Sequence, residues 1–311
     1  MAQIKVFSGS SNKPLAEAIC ERLQVPLGKA VISRQQSGEI HVSYEESVRN
    51  CDIFIVQSLS HPVNELLVEL LVMIDAAKRA SAQSINIVMP YYGYARQERK
   101  SKPREPISAK LVADVLTTVG ANRIITLDLH ADPIQGFFDI TVDHLSALDI
   151  IINALRAKNI VNPVVVSPDA GRATVAEKLA GLLNCPFAIM IKNRPAHNKS
   201  EITHIIGEVE GMTPIIIEDM IDTGSTIVNV VEALHKRGAY DAYICATHGL
   251  FSDNAVKKLD HPYINEVIIT DTILLDDEHS DKFVVLSVAP LISQAIDIIT
   301  NGGSIATLFK A

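Results

Sequence analysis

The chain has no tryptophan, few cysteines and no surplus of basic residues. Its cysteines lie far apart, without the paired spacing of a zinc site, so we interpret them as reduced thiols of the core. They are Cys20, Cys51, Cys185 and Cys245. A net charge of −8 excludes the chain-wide basic field that non-specific nucleic-acid binding needs, so nucleic acid is not expected as a partner. Any anionic ligand must be held by local groups.

Long apolar runs are also missing. No stretch approaches membrane-spanning length, and the first seven residues lack a basic flank followed by a long apolar segment. We therefore expect a soluble, cytoplasmic protein with no membrane partner. With 311 residues, 48% of them hydrophobic, the chain is long enough for two ordinary domains and too apolar to be disordered.

Short apolar runs rich in β-branched residues alternate with helical patterns along the whole chain. We predict strands at 52–56, 85–89, 124–127, 163–166 and 214–217. Apolar stripes at helical spacing predict helices that begin near Leu66 and near Thr226. This alternation predicts an α/β fold with mainly parallel sheets flanked by helices.

The two halves of the chain resemble each other at a shift of 160 positions, for example 15–17 against 175–177. A duplicated domain would explain this, and the alternative that any two βαβ domains look this similar stays open. We predict domains at 1–145 and 146–311. Whether the residues from about 290 pack back on the first domain is left open.

The most informative segment is 215–226, where an apolar strand runs into acids, then hydroxyl residues, then a helix. Backbone amides at the start of that helix, with the hydroxyls, suit a phosphate monoester. Glu218 and Asp219 would repel a phosphate and suit sugar hydroxyls or hydrated magnesium. An ordinary capped turn explains Asp222 or Thr223 but not two adjacent acids. The segment predicts a sugar-phosphate site made by Asp219, Asp222, Thr223, Gly224, Ser225 and Thr226.

Further segments carry a resemblance that covers essentially the whole chain: 91–100, 104–110, 128–131, 134–138, 166–169 and 287–291. Together with 215–226, they make the chain similar to the class I ribose-phosphate diphosphokinases, or PRPP synthetases, which have a phosphoribosyltransferase-type fold. The resemblance implies two phosphoribosyltransferase-like domains related by pseudo-twofold duplication. It implies transfer of the β,γ-pyrophosphoryl group of ATP to the C1 hydroxyl of ribose 5-phosphate, giving PRPP and AMP. Mg²⁺ and a homo-oligomer, a hexamer built from dimers, are also implied.

The nucleotide site is expected in the first domain. Several cationic residues lie within 96–104, and Pro103 among them predicts a loop and not a helix. On its own, such a charged loop indicates a solvated surface segment. The resemblance implies that this loop grips the triphosphate of ATP. The ATP-binding residues it implies are Gln35, Ser37, Glu39, Arg96, Gln97 and Arg99.

Metal and catalytic residues are implied in the same way. His130 follows the predicted strand 124–127, at an end where α/β proteins build sites, although a single histidine there is commonly structural. The resemblance implies that His130 and Asp169 hold magnesium. Lys192 and Arg194 follow a strand predicted at 187–191 and point the same way if extended, as on an exposed hairpin. The resemblance implies that they are the catalytic cations of a closing flap. No side chain is assigned as general base.

Several positions depart from the family pattern. Gln35 replaces a phenylalanine that stacks on adenine, which costs about 1–3 kcal/mol of base binding where nothing else stacks. Ala170 and Arg172 replace a histidine and a glycine, and the sequence leaves open whether Arg172 obstructs pyrophosphate or binds it. Ser37 replaces an acidic or amide residue. The run 305–309 lacks the serines of the family's regulatory site, so we expect weak control by phosphate and ADP.

Two other functions remain as alternatives. A catalytically weakened paralogue that regulates an active subunit would explain Gln35, Ala170 and Arg172. A phosphoribosyltransferase that consumes the activated sugar would explain 215–226 but not the first half of the chain. Because Lys192 and Arg194 are retained, we predict an active diphosphokinase.

Overall fold

The computed structural model describes residues 3–196, 199–275 and 279–308. The described residues divide into two compact units. The first contains residues up to 147, together with 272–274 and the residues from 287 onward. The second contains 148–271 and 275–286. Each unit has its own apolar core, built between a sheet and the helices that cover it.

The strands are β1 Gln3–Ser8, β2 Ala30–Arg34, β3 Ile40–Tyr44, β4 Cys51–Val56, β5 Ser84–Val88, β6 Arg123–Leu127, β7 Thr141–Leu145, β8 Pro163–Ser167, β9 Phe187–Ala196, β10 Lys199–Ile206, β11 Thr213–Ile221, β12 Ala242–Gly249, β13 Ile264–Thr270 and β14 Phe283–Leu286. The α-helices are α1 Lys13–Leu23, α2 Val63–Arg79, α3 Ser108–Val119, α4 Leu148–Ala157, α5 Ala173–Leu183, α6 Ser225–His235, α7 Ala255–Leu259 and α8 Ala289–Thr300. Short 3₁₀ turns lie at Asp132–Phe137, Ala170–Arg172 and Ile305–Leu308.

The first unit holds a sheet with the strand order β1-β4-β5-β6-β7, in which every pairing is parallel. An antiparallel hairpin, β2 with β3, forms a separate small sheet. Helix α2 buries Leu66, Leu70, Met73 and Ile74 along one side, as its apolar stripe predicts. The α/β fold with parallel sheets is confirmed.

The second unit holds a sheet with the order β10-β9-β8-β11-β12-β13-β14. All pairings are parallel except that of β9 with β10. The strand predicted at 214–217 ends too early, because β11 continues to Ile221 and pairs there with Gly249 of β12. The strand predicted at 187–191 is also too short, because β9 continues to Ala196 by pairing with β10. The added part of β9 is mostly polar and that of β11 begins with two acids, and cross-strand hydrogen bonds extend both as strands.

The two units repeat one order of elements. Helix α5 begins and ends 160 residues after α1. The strand order β8-β11-β12-β13-β14 repeats β1-β4-β5-β6-β7, and the hairpin β9–β10 takes the place of β2–β3. The hairpins differ, because β9 joins its sheet through β8 whereas β2 and β3 stay apart. Each unit therefore builds the same topology from its own half of the sequence.

Two further expectations from the sequence concern the burial of the cysteines and the absence of membrane-spanning segments. All four cysteines are free thiols; Cys20, Cys51 and Cys245 are buried, and Cys185 is partly buried and packs against the core of the second unit. Burial, with a smaller contribution from Glu17, raises the pKa of Cys20 to about 11. In the described parts of the chain, no helix has the length and apolar character needed to cross a membrane.

A buried polar network joins β1, β4 and α2 in the first unit. The Glu69 carboxylate accepts hydrogen bonds from the Ser10 amide, the Ser10 hydroxyl and Nε2 of Gln57, each at 2.7 Å. Gln57 is fully buried and in turn accepts from the Ser11 amide at 3.1 Å. Gly9 is required beside it, since a Cβ there would lie 2.3 Å from Oε1 of Gln57. The network fixes the turn between β1 and α1.

This network predicts a large stability difference between two glutamates on one helix. Glu69→Ala removes the acceptor of three hydrogen bonds, one of them from the buried Nε2 of Gln57, and should lower the free energy of unfolding by roughly 2–4 kcal/mol. The control Glu65→Ala removes an exposed ion pair with Arg34 and should cost less than about 1 kcal/mol. Urea unfolding followed by circular dichroism measures both, and equal midpoints for the two variants would contradict the role of the network.

Candidate active site

The carboxyl ends of β8 and β11 form one edge of the second sheet. The two strands are parallel neighbours, with Val166 opposite Ile216. Asp169 follows β8 at this edge, and Glu218 and Asp219 lie in the last part of β11. Parallel α/β sheets place their ligands outside this edge. Of the two adjacent acids, Asp219 is buried and Glu218 partly buried, as alternation along a strand requires.

The turn between β11 and α6 has the form of an anion site. Gly224 is the N-cap of α6, with φ of 70°, a conformation that favours glycine. A glycine offers no side chain to the amides of the first helical turn, which remain directed out of the helix start. Thr223, Ser225 and Thr226 are exposed around them and carry hydroxyl donors. Amides and hydroxyls in this arrangement suit a phosphate group.

Lys258 adds a cation beside the same turn, and nothing in the sequence pattern predicted it. Its ammonium group donates to the Thr223 carbonyl at 3.3 Å and to the Ser225 hydroxyl at 3.5 Å. Asp253 accepts from the same group at 3.0 Å. Lys258 lies on the short helix α7, which packs on Gly224 so closely that a Cβ there would lie 3.3 Å from Leu259. Only the tertiary packing of α7 brings this charge to the turn.

The loop after β8 is held by its own backbone. Oδ1 of Asp169 accepts from the Gly171 amide at 2.9 Å, and the Ser167 hydroxyl donates to the Asp169 carbonyl at 2.6 Å. Within the described residues, Oδ2 of Asp169 makes no hydrogen bond. The side chain of Ala170 lies outside the described part of the chain. Asp169 is thus fixed with one carboxylate oxygen available.

Arg172 ends this loop and contacts Asp219. Its Nη2 forms an ion pair with Oδ2 of Asp219, whose side chain is only 5% exposed. Arg172 is the N-cap of α5, but within the described residues it makes no capping hydrogen bond. The sequence analysis noted Arg172 as a departure from the family pattern but did not predict Asp219 as its partner. The loop after β8 and the acid of β11 are therefore joined by a charge pair.

His130 lies in the first unit, in the loop after β6. Asp128 anchors this loop by accepting from the Ser146 hydroxyl at 2.8 Å and the Ala147 amide at 2.9 Å. The Leu129 amide donates to Nε2 of His144 at 2.8 Å, which requires the neutral imidazole. Burial lowers the pKa of His144, opposed by Asp128 and Asp132. The anchored loop presents His130 at the surface.

The residues expected to bind ATP occupy two exposed segments of the first unit. As predicted, the cationic segment 96–104 lies outside any helix, in the connection from β5 to α3. Its backbone is ordered by Glu105, which accepts from the amides of Ser101 and Lys102 at 2.9 and 2.8 Å. Gln35, Ser37 and Glu39 lie in the turn of the β2–β3 hairpin, where the Ser37 hydroxyl donates to Glu39 at 2.7 Å. Arg96, Gln97 and Arg99 are also exposed.

Lys192 and Arg194 lie in β9, where the backbone of Lys192 pairs with Ile202 of β10. Their backbone is therefore extended, and they belong to a hairpin. Their side chains lie outside the described part of the chain. Their catalytic role stays a prediction.

Comparison with known proteins identifies the family. The family model for the N-terminal domain of ribose phosphate pyrophosphokinase matches residues 4–120, and the model for the phosphoribosyl synthetase-associated domain matches 162–310. A ribose-phosphate pyrophosphokinase of Fusobacterium nucleatum is 52% identical over 310 residues, covering 99% of this chain and 98% of that protein. One of Corynebacterium ammoniagenes is 50% identical over 310 residues, with the same coverage.

A solved structure agrees over nearly the full length. The phosphoribosylpyrophosphate synthetase of Mycobacterium smegmatis has a TM-score of 0.91 to this chain and 42% sequence identity, covering 97% of this chain and all of that one. The similarity includes both units, the candidate sugar-phosphate edge and the segments before and after it. The chain belongs to the ribose-phosphate pyrophosphokinase family.

Proposed function

We propose that this chain transfers the β,γ-pyrophosphoryl group of ATP to the C1 hydroxyl of ribose 5-phosphate, giving PRPP and AMP. The observation that carries this function is the edge of the second sheet, where buried Asp219 lies next to a phosphate-type helix start. One ligand that needs both a carboxylate and an anion site is a sugar phosphate. The full-length similarity to ribose-phosphate pyrophosphokinases supports the same substrate.

The sugar phosphate is bound by the turn after β11. The amides of the first turn of α6, with Thr223, Ser225 and Thr226, hold the 5-phosphate. Gly224 allows the backbone to approach it, and Lys258 supplies a positive charge from α7. Asp219 and Asp222 accept hydrogen bonds from the sugar hydroxyls, since carboxylates are acceptors for diols. The acids stay separate from the phosphate because they precede the helix start.

ATP is bound by the exposed residues of the first unit. Arg96 and Arg99 offer guanidinium forks that match phosphate oxygens, and Gln97 can bond a nucleotide edge. Glu39, with Gln35 and Ser37, completes the nucleotide site from the β2–β3 turn. Gln35 supplies no aromatic ring, so base stacking is weaker than a phenylalanine would give.

Of the two proposed metal ligands, Asp169 has the oxygen donor that magnesium prefers, whereas His130 has a nitrogen donor. Asp169 offers a hard carboxylate oxygen, Oδ2, from a backbone-fixed position, and His130 is presented by an anchored loop. We propose each of them as a magnesium ligand. Magnesium, when bound, neutralises developing charge on the phosphoryl oxygens. The chain's own part is to hold each ligand in place within its own unit and to supply further cations.

The reaction is an in-line displacement. The C1 oxygen of the sugar forms a bond to the β-phosphorus, the bond from that phosphorus to the α,β-bridging oxygen breaks, and AMP leaves with that oxygen. The hydroxyl proton is lost to water, since no side chain is assigned as base. Lys192 and Arg194 supply positive charge to the transferring group, on a hairpin that excludes water when it closes. Positioning and charge carry the catalysis.

Three further properties are part of the proposal. The two units are the duplicated domains of the family fold, as their repeated strand order supports. The chain forms a homo-oligomer, a hexamer built from dimers, and acts in the cytoplasm. A weakened paralogue remains the second candidate because Gln35 and Arg172 depart from the family pattern.

Sugar-dependent AMP formation tests the function. Purified protein with magnesium and ATP should release AMP only when ribose 5-phosphate is present. His130→Ala and Lys192→Ala should each lower kcat by at least about 100-fold, because each removes a charge or ligand at the transition state. His235→Ala, an exposed histidine at the far end of α6, is the matched control. Folded protein that binds ribose 5-phosphate in calorimetry but forms no AMP would favour the regulatory paralogue.

Metal removal tests the proposed ligands. Chelation with EDTA should abolish AMP formation, and added magnesium should restore it. Asp169→Asn should raise the magnesium concentration for half-maximal rate by about tenfold or more, because an amide oxygen is a weaker ligand for a hard cation. Asp241→Asn, an exposed acid before β12, should leave that concentration unchanged. An unchanged magnesium requirement in Asp169→Asn would remove Asp169 from the metal site.

A pair of adjacent lysines tests the phosphate turn. Lys258→Met should raise KM for ribose 5-phosphate by roughly three- to tenfold with little change in KM for ATP, because a partly exposed charge contributes about 1 kcal/mol. Lys257→Met removes the same charge from an exposed position of α7 and should stay within about twofold of wild type. Equal KM values for the two variants would exclude Lys258 from the phosphate site.

A further inference from the structure

Arg172 occupies a position where an arginine is unfavourable for the helix it starts. The position that corresponds to it in the first unit is Asn12, whose side chain caps α1 by accepting from the Leu15 amide at 3.2 Å. Arg172 caps α5 with no side-chain hydrogen bond in the described residues, and a cation at a helix start opposes the helix dipole. Helix stability therefore does not explain an arginine here.

The partner of Arg172 does explain it. Asp219 is an acid in the interior part of β11 with a 5% exposed side chain, and Nη2 of Arg172 contacts its Oδ2. A buried carboxylate is strongly unfavourable unless it is paired. Arg172 is itself only 20% exposed, so the pair is largely shielded from water. An ionised carboxylate has about four acceptor sites, and a guanidinium on one oxygen occupies only part of them.

We propose that Arg172 is a positioning residue that keeps the Asp219 carboxylate ionised and oriented to accept hydrogen bonds from the sugar hydroxyls. This rests on the proposed function, in which Asp219 binds ribose 5-phosphate. In this proposal Arg172 contributes to the binding of ribose 5-phosphate. It neither binds pyrophosphate nor obstructs it. The loop after β8 thereby controls the affinity of β11 for the sugar.

The kinetic signature separates these roles. Arg172→Met should raise KM for ribose 5-phosphate on the order of 10- to 100-fold, because it removes the cation that contacts the buried Asp219 carboxylate. The kcat at saturation and the KM for ATP should change by less than about threefold, since the sugar contact is equal in the ground and transition states. Arg172→Lys should have a KM for ribose 5-phosphate between those of wild type and Arg172→Met, because an ammonium group keeps the positive charge but lacks the planar geometry of the guanidinium. Arg237→Met, at an exposed arginine after α6, should match wild type.

A double-mutant cycle tests whether Arg172 acts through Asp219. In an Asp219→Asn background, Arg172→Met should change the KM for ribose 5-phosphate by less than about threefold, because no charge remains to be held. A purely structural role would give the same loss in both backgrounds. Circular dichroism checks folding, and Arg172→Lys carries the test if Arg172→Met does not fold.

Other outcomes overturn the inference. A higher KM for ATP or weaker inhibition by inorganic pyrophosphate, with ribose 5-phosphate unaffected, would make Arg172 a pyrophosphate ligand. A lower KM for ribose 5-phosphate in Arg172→Met would make it an obstruction. Wild-type protein that forms no sugar-dependent AMP contradicts the proposed function instead. Calorimetric titration of ribose 5-phosphate into wild type and Arg172→Met then tests the positioning role independently of catalysis.

Discussion

Parallel pairing of β8, β11 and β12 is the constraint on which the candidate site depends. It brings the carboxyl ends of these strands to one edge, so that residues distant in sequence, such as Asp169 and Asp219, serve one region of the second unit. The extension of β11 to Ile221 by its bonds to β12 fixes Asp219 within a strand, where it cannot turn away from the sheet. The same extension directs the next residues into α6 and exposes the helix start. Sheet pairing thus sets both the acid and the anion site.

The repeat of this topology in the first unit shows that the fold alone does not make the site. At a shift of 160 residues, Ser58 and Leu59 stand where Glu218 and Asp219 stand, and Val63 replaces Thr223. The first unit closes the corresponding edge with the bonds among Ser10, Gln57 and Glu69. Its first-turn amide at Leu15 is satisfied by Asn12. In the first unit these positions therefore form internal hydrogen bonds, whereas the turn after β11 in the second unit has no side-chain cap at the start of α6 in the described residues.

Much of the fold followed from sequence because its signals are local. Apolar runs and apolar stripes at helical spacing indicate which residues are buried, so the core strands and α2 could be predicted from their own residues. The ends of β9 and β11 were missed because polar or acidic residues interrupt their apolar runs, and their strand conformation comes from hydrogen bonds to neighbouring strands. The turn between β11 and α6 could be predicted from the sequence, since its acids, hydroxyls and helix start are contiguous, and its role as a sugar-phosphate site stays a prediction. Lys258 was not legible, because the packing of α7 on Gly224 alone brings it there.

Arg172 shows what a site of this kind costs the fold. An asparagine at that position would cap α5, as Asn12 caps α1, and caps of this type stabilise a helix start by about 0.5–2 kcal/mol. The chain instead has an arginine that opposes the dipole of α5 and neutralises a buried acid on the neighbouring strand. A double variant without both charges would lose the cation at the start of α5 and the buried carboxylate of β11, and replacing a buried ion pair is often neutral or stabilising. Under the proposed function, the use of Asp219 as an acceptor for the sugar is the physical reason for keeping the pair.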